Sequence, residues 1–317
     1  MYIVQAGYKI IDIDNPVEKI ERVARVCYKS EDKITEGSAE RMVKALIKNS
    51  HTAMIEHSSI VLEADISAFY ELDVRVNYLE QRTGFKSYLR FSTIDDVHII
   101  SGNIRAWREF LTACEENMFS VSKSLSDIFT NEKYSVFFND IEIDVSENMR
   151  GNVKEINPSS LSAKGQLIHR DFTVLFTVDR GVSHELVRHR VASFAQESTR
   201  YCNYSKADSI TVIRPCYFKE NTPEMDNWAE SCIKAEKVYM KLLEKGATPQ
   251  EARAVLPNSL KTEIVVTMNL RQWRHFFKLR AVGVTGAPHP QMLEVSVPLL
   301  EEVKSLIPIV FDDLEVK

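Results

Sequence analysis

Between His184 and Tyr201 the chain reads His-Glu-Leu-Val-Arg-His-Arg-Val-Ala-Ser-Phe-Ala-Gln-Glu-Ser-Thr-Arg-Tyr. The guanidiniums of Arg188, Arg190 and Arg200, two imidazoles, two carboxylates and several hydroxyls fall in this one stretch. Such density of charge makes a poor core, where an unpaired ion is costly. It suits the grip of phosphates and a polar ring, because the guanidinium fork matches phosphate oxygens.

Metal chemistry is a poor fit. His184 and His189 are five positions apart, so at about 100° per residue their rings stand roughly 140° apart on a helix. They cannot share a metal as an i, i+4 pair would. His51 and Glu56-His57 hold two imidazoles and a carboxylate without a third evident ligand. No metal is expected. The glycine-rich phosphate loops and the G-x-S-x-G elbow are absent too, in a chain with only ten glycines. A nucleotide here must be held by side chains and helix ends.

The elements around the cluster follow from spacing. Val182, Leu186 and Val187 form an apolar stripe that predicts a helix over 182–190. On it Arg188 and Arg190 point about 200° apart and serve different partners. Glu185 lies one turn before Arg188 and His189 and is placed to orient either. Beyond Val191 an extended segment would turn Ser198 and Arg200 to the same side.

Further out, Asn15-Pro16 predicts a helix through Tyr28, and Ser38 reads as the cap of a second. Thr222-Pro223 opens a long helix ending near Gly246, and Thr248-Pro-Gln-Glu251 is a capping box for a short one stopped before Pro257. Helices are also expected over 271–280 and 290–307, with a bend at Pro298. Strands are expected over 58–64, 87–91, 98–100, 172–178 and 263–268. The polar stretch 140–165 reads as a loop. Asn103-Ile-Arg-Ala-Trp-Arg-Glu-Phe110 and Asn269-Leu-Arg-Gln-Trp-Arg-His-Phe276 share Asn, Arg, Trp, Arg and Phe. Two helices with an Asn cap and a buried Trp and Phe would explain this. A degenerate internal copy would as well, and it requires the same strand-to-helix geometry at both places.

At 317 residues with 44% hydrophobic content the chain can bury a substantial core. A net charge of −5 argues against a general nucleic-acid binder. No apolar run approaches the roughly 20 residues of a membrane helix, and the Met1–Gly7 start lacks the basic flank and apolar run of a signal peptide. Five scattered cysteines without C-x-x-C read as free thiols of a reducing cytoplasm.

Arg188-His189-Arg190, Ser198 eight positions on, and then Arg200-Tyr201 resemble the signature of flavin-dependent thymidylate synthases. Ala24-Arg25-Val26, His51 with Glu56-His57, Ala252-Arg253 with Leu256-Pro257, Asn269-Leu270-Arg271 and Leu279-Arg280 follow in that family's order. The resemblance covers about 1–60 and 170–305. It implies an α+β fold with a mixed or antiparallel sheet and flanking helices. The chain would form a single domain over 1–317, interrupted by an inserted subregion at about 61–170. It implies methylation of dUMP to dTMP with FAD, with methylenetetrahydrofolate and NADPH as co-substrates, in a cytoplasmic homotetramer with shared active sites. Alternatives on the same fold are UMP methylation, hydroxymethylation, or nucleotide binding without catalysis.

Carried over by position, Arg188, His189, Arg190, Gln196, Asn269, Arg271 and His275 should contact FAD. Glu185, Arg188, Gln196, Glu197, Ser198, Thr199, Arg200, Arg253 and Arg280 should surround the nucleotide. Arg280 and Ser198 are the catalytic candidates, Arg280 for charge on the ring. Ser198 has no evident activating base and reads as a hydrogen-bond donor to substrate. Cys27 and Ala53 stand where the family has hydroxyls, and Ala195-Gln196 replaces an Asn-Glu pair. The segment after Arg280 is several residues longer and lacks the family's Asp.

Overall fold

The structure, a computed structural model, describes every residue except Arg150, Asp208 and Lys317. From the N-terminus run β1 (Tyr2–Val4), β2 (Gly7–Ile10), α1 (Pro16–Tyr28), α2 (Ser38–Lys48), β3 (Ser59–Ala64) and α3 (Ile66–Thr83). Next come β4 (Arg90–Ile94), β5 (Val97–Asn103), α4 (Ile104–Glu116), α5 (Lys123–Thr130), α6 (Ser135–Phe138), β6 (Val153–Glu155) and α7 (Ala163–His169). Then follow β7 (Asp171–Asp179), α8 (Arg180–Leu186), β8 (Ser193–Gln196), β9 (Thr211–Ile213) and α9 (Pro223–Glu244). The chain closes with α10 (Pro249–Ala252), β10 (Lys261–Asn269), α11 (Leu270–Arg280), α12 (Pro290–Leu306) and α13 (Pro308–Phe311). Antiparallel sheets beside helices make this an α+β fold, as expected.

Two compact units share the chain. An N-terminal unit takes Asp12–Val23 and Asp32–Phe172, and a C-terminal unit takes Met1–Ile11, Ala24–Glu31 and Thr173–Lys317. The N-terminal unit carries an antiparallel sheet in the order β4-β5-β3-β6. Its central strands are apolar on both faces, with Ile60, Val61, Leu62, Ile99 and Ile100 buried. Trp107 and Phe110 of α4 are fully buried, and Trp107 packs 5.4 Å from Phe129 of α5.

The C-terminal unit repeats the plan in the order β8-β10-β7-β2. Ile264, Val265 and Val266 of β10 are buried, and Trp273 and Phe276 of α11 pack on Phe176 of β7. A parallel β1–β9 pair and an ion pair from the Met1 amine to Glu236 at 3.0 Å hold the N-terminus.

The strand-to-helix junctions coincide. Asn103 (φ −69°, ψ 164°) and Asn269 (φ −70°, ψ 164°) each end a strand and cap the next helix through the side-chain oxygen. Asp65 (φ −68°, ψ 166°) and Asp179 (φ −79°, ψ 170°) do the same after β3 and β7. Arg108 donates to the Phe137 carbonyl and both Asp140 oxygens, and Arg274 to the Val310 carbonyl and both Asp313 oxygens. The geometry an internal copy requires is present.

Several expectations shift. Ser38 is the first helical residue, and Gly37 (φ 68°) precedes it as cap in the left-handed region open to glycine. The strand expected over 87–91 lies at Arg90–Ile94, and the stretch 140–165 contains β6 and the start of α7. The helix expected to Arg190 stops at Leu186, where Arg188 and His189 N–H bond to the Glu185 and Leu186 carbonyls. These i to i+3 bonds tighten the last turn, so Arg188 and Arg190 leave the helix. Ser198 and Arg200 also leave the extended segment, since the Tyr201 and Cys202 N–H groups both bond to the Ser198 carbonyl.

Candidate functional site

The sequence cluster lies in the C-terminal unit, spread over α8, β8, β10 and α11. Asp179 accepts from the Val182 N–H at 2.6 Å and starts α8 at the end of β7. Val182, Ser183 and Leu186 face inward, leaving Arg180, His184 and Glu185 on the other side. Asn269 starts α11 in the same way, so that Arg280 falls at its last position.

Three of the expected residues meet directly. Arg280 donates from Nη1 to Glu185 Oε2 at 2.7 Å and from Nε to His189 Nε2 at 3.0 Å. Its backbone carbonyl accepts from Ser296 at 2.6 Å. Arg280 Nη2 has no partner among the described residues. His189 is buried, its ring edge-on to Phe276 at 5.0 Å. Burial, then Arg280 and His275, lower its pKa to about 4. The imidazole is therefore neutral at pH 7, which leaves Nε2 free to accept from Arg280.

Other expected residues are held by the protein itself. Gln196 donates to Ser183 Oγ at 2.9 Å and Thr262 Oγ1 at 3.2 Å, tying β8 to α8 and β10. Glu197 is buried and accepts from Lys29 at 2.9 Å and Tyr204 at 2.8 Å, with Lys261 at 3.5 Å. Asn269 spends its side-chain oxygen on the Gln272 N–H at 2.9 Å. Ser198 accepts from the Arg200 N–H at 3.3 Å. Cys27 is half-buried, and burial raises its thiol to about 11, so it stays protonated.

The remaining cations are open. Arg188, Arg190, Arg271 and His275 are exposed. Arg200 is exposed too, its guanidinium 5.4 Å from the Tyr201 ring centre. Arg253 donates to Thr199 Oγ1 at 3.2 Å. These two line a cavity of about 330 Å³ with Arg180, His184, Asn258 and Leu260. Arg180 and His184 were not among the residues singled out from the sequence as ligands. The only signal for Arg180 was its place directly after a capping Asp at a strand end.

The family model for thymidylate synthase complementing protein matches residues 9–75 and 152–309. It passes over 76–151, a shorter stretch than the 61–170 read from the sequence. The flavin-dependent thymidylate synthase of Pyrococcus horikoshii is 36% identical over 172 residues, which cover 52% of this chain and 70% of that one. The enzyme of the same name from Pyrococcus abyssi is 32% identical over 156 residues, 48% of this chain and 63% of that one. A solved structure, the UMP/dUMP methylase PolB from Streptomyces cacaoi bound with 5-Br dUMP, aligns over 98% of this chain and 96% of that one. It does so at a TM-score of 0.43 and 15% identity.

Proposed function

The chain belongs to the thymidylate synthase complementing protein family, and on that premise we propose that it is an FAD-dependent enzyme methylating dUMP to dTMP. Methylenetetrahydrofolate donates the carbon and NADPH is the reductant. The observation that carries this proposal is Arg280, fixed between Glu185 and His189 with Nη2 left over. Carbon 5 of a uracil attacks a methylene carbon only when electron density is pushed into that position from the ring. Negative charge then gathers near N3 and the carbonyl oxygens. A guanidinium held in place beforehand stabilises that charge as it develops, with no reorganisation at the moment of reaction.

Each neighbour of Arg280 has a separate task. Neutral His189 fixes the plane of the guanidinium without adding a competing positive charge. Glu185 anchors the other edge. Arg253 offers its fork to the phosphate beside Thr199.

The donor set also fits a flavin dinucleotide. Arg188, Arg190 and Arg271 are exposed and pair with no carboxylate among the described residues, as a diphosphate would require. They would hold FAD, with His275 on the same face of α11 as Arg271. Held by these residues, a reduced flavin would supply the hydride needed to complete the methyl group.

Purified protein should be yellow and should form dTMP from dUMP, methylenetetrahydrofolate and NADPH. Flavin-loaded protein that makes no dTMP under these conditions would sink the proposal. Product from UMP alone would move the substrate to the ribonucleotide.

A further inference from the structure

Glu197 reads from the sequence as a nucleotide ligand, yet its carboxylate has no exposed surface with which to meet one. Three parts of the C-terminal unit converge on it instead. Lys29, just past the end of α1, and Tyr204 both donate to Oε1, at 2.9 and 2.8 Å, and Lys261 of β10 lies 3.5 Å from Oε2. Lys29 stands at φ 47°, in the left-handed region, and its ammonium also lies 4.9 Å from the centre of the Tyr204 ring. Main-chain bonds pin the same point: the Glu197 N–H donates to the Glu263 carbonyl at 2.8 Å, and the Ser198 N–H to the Cys27 carbonyl at 3.0 Å. A buried carboxylate is costly unless it is paired and hydrogen-bonded. The groups that satisfy this one therefore cannot drift without leaving a charge unpaired.

Between Glu197 and Tyr204 runs a loop, 198–203, which their side-chain bond closes at its base. Inside it the Tyr201 and Cys202 N–H groups turn back on the Ser198 carbonyl at 3.2 and 2.9 Å, and the Arg200 N–H on Ser198 Oγ at 3.3 Å. The loop carries Ser198, Thr199 and Arg200, three residues expected around the nucleotide, and Thr199 accepts from Arg253 at 3.2 Å. Burial, and then the Glu197 carboxylate, raise the Tyr204 phenol well above the usual tyrosine range, so it stays protonated and able to donate. We propose that Glu197 is a positioning residue, which with Tyr204 and Lys29 holds this loop in the shape that receives the nucleotide. It acts through Ser198, Thr199 and Arg200 and does not itself touch substrate. The assignment rests on the nucleotide reading of the site.

Steady-state kinetics and calorimetry on the flavin-loaded protein test it. Tyr204→Phe keeps both lysine contacts to Glu197 and opens only the base of the loop. It should raise the KM for dUMP and weaken dUMP binding about tenfold, as loss of a hydrogen bond to a charged group does. Turnover at saturating dUMP, and the KM for NADPH and for methylenetetrahydrofolate, should stay near wild type, the pattern of lost substrate binding. Glu197→Gln, which still accepts from Tyr204 but no longer answers the two lysines, should raise the same KM and no other. An unchanged KM for dUMP in both variants overturns the assignment, and so does an equal rise for all three substrates, which general loosening would give. Should the wild type bind dUMP without methylating it, weaker dUMP binding in Tyr204→Phe keeps the positioning role while the proposed reaction falls. A wild type that binds no dUMP overturns both.

Discussion

Both units set a glutamate against a guanidinium at matching positions, yet the arginine comes from opposite helices. Glu71 and Glu185 each follow the capping aspartate by six residues. In the N-terminal unit Arg75, ten residues after Asp65, donates to Glu71 at 3.1 Å and to the Ser120 carbonyl. In the C-terminal unit that place is His189, and the guanidinium is Arg280, eleven residues after Asn269. The counterpart of Arg280, eleven residues after Asn103, is the buried Cys114. A second pair of positions differs likewise. Arg105 is closed by Glu109 at 2.7 Å and Glu56 at 2.8 Å, while at the place of Glu109 the C-terminal unit has His275 beside Arg271. At Arg271 the acid that closes Arg105 is replaced by His275, while Arg280 keeps Glu185 and still has Nη2 to spare. In the N-terminal unit the same frame keeps the acids and uses arginine as structural glue.

The sharpest way to break this contrast is at the two arginines. Arg280→Gln should lower turnover of dUMP about 10²- to 10³-fold, the range for removing a preorganised donor, with little change in melting temperature. Arg75→Gln should do the reverse, lowering the melting temperature and leaving turnover near wild type. Equal loss of turnover in both variants at unchanged stability would dissolve the distinction between the units. Restoring the missing acid is the next test. His275→Glu recreates the i, i+4 pair that Arg105 makes with Glu109. It should close Arg271 and weaken flavin retention about tenfold, read from the visible absorbance after dialysis; full retention would count against Arg271 as a flavin ligand.

His189 gives the contrast a pH signature that Arg75 cannot. Its folded pKa of about 4 lies below its ordinary value of 6.5. The unfolded chain therefore binds the proton more readily between these values, and stability falls as pH drops through that window. The full contribution is present above about pH 6.5 and reaches at most about 3 kcal/mol. Denaturant midpoints of wild type and His189→Gln should converge from pH 7.5 to pH 4.5. Parallel curves would show that the imidazole is not held neutral by the fold.

Much of this was legible from residue types. Caps and prolines located α1, α9 and α12, and the start of α10, to within a residue or two, because those signals act locally. Helix α3 was not, since exposed Ile66, Tyr70, Val74 and Tyr78 oppose buried Phe69, Leu72, Val76 and Leu79. With apolar residues on both sides no stripe stands out. β2, β6 and β8 are three or four residues long and owe their pairing to distant partners. At the site, Glu185, His189 and Arg280 were named from the sequence and do meet. Arg180 and His184 were passed over, because which cations share a cavity is a tertiary fact. Glu197 was read as a ligand, and only packing reveals Lys29, Tyr204 and Lys261 around it.

The smallest effects test whether the two frames are equivalent where chemistry does not intrude. Asn103→Ala and Asn269→Ala each remove one cap bond, of 2.8 Å to Ala106 and 2.9 Å to Gln272. Each should cost about 1 kcal/mol of stability in its own unit. Aspartate already caps the sister junctions at Asp65 and Asp179, so Asn103→Asp should recover nearly all of that loss. Asn269 makes a further interaction besides its cap, and it belongs to the unit expected to bind flavin. Asn269→Asp should therefore recover the melting temperature but not flavin retention. Full recovery of both would make Asn269 a cap like its counterpart and would remove it from the site.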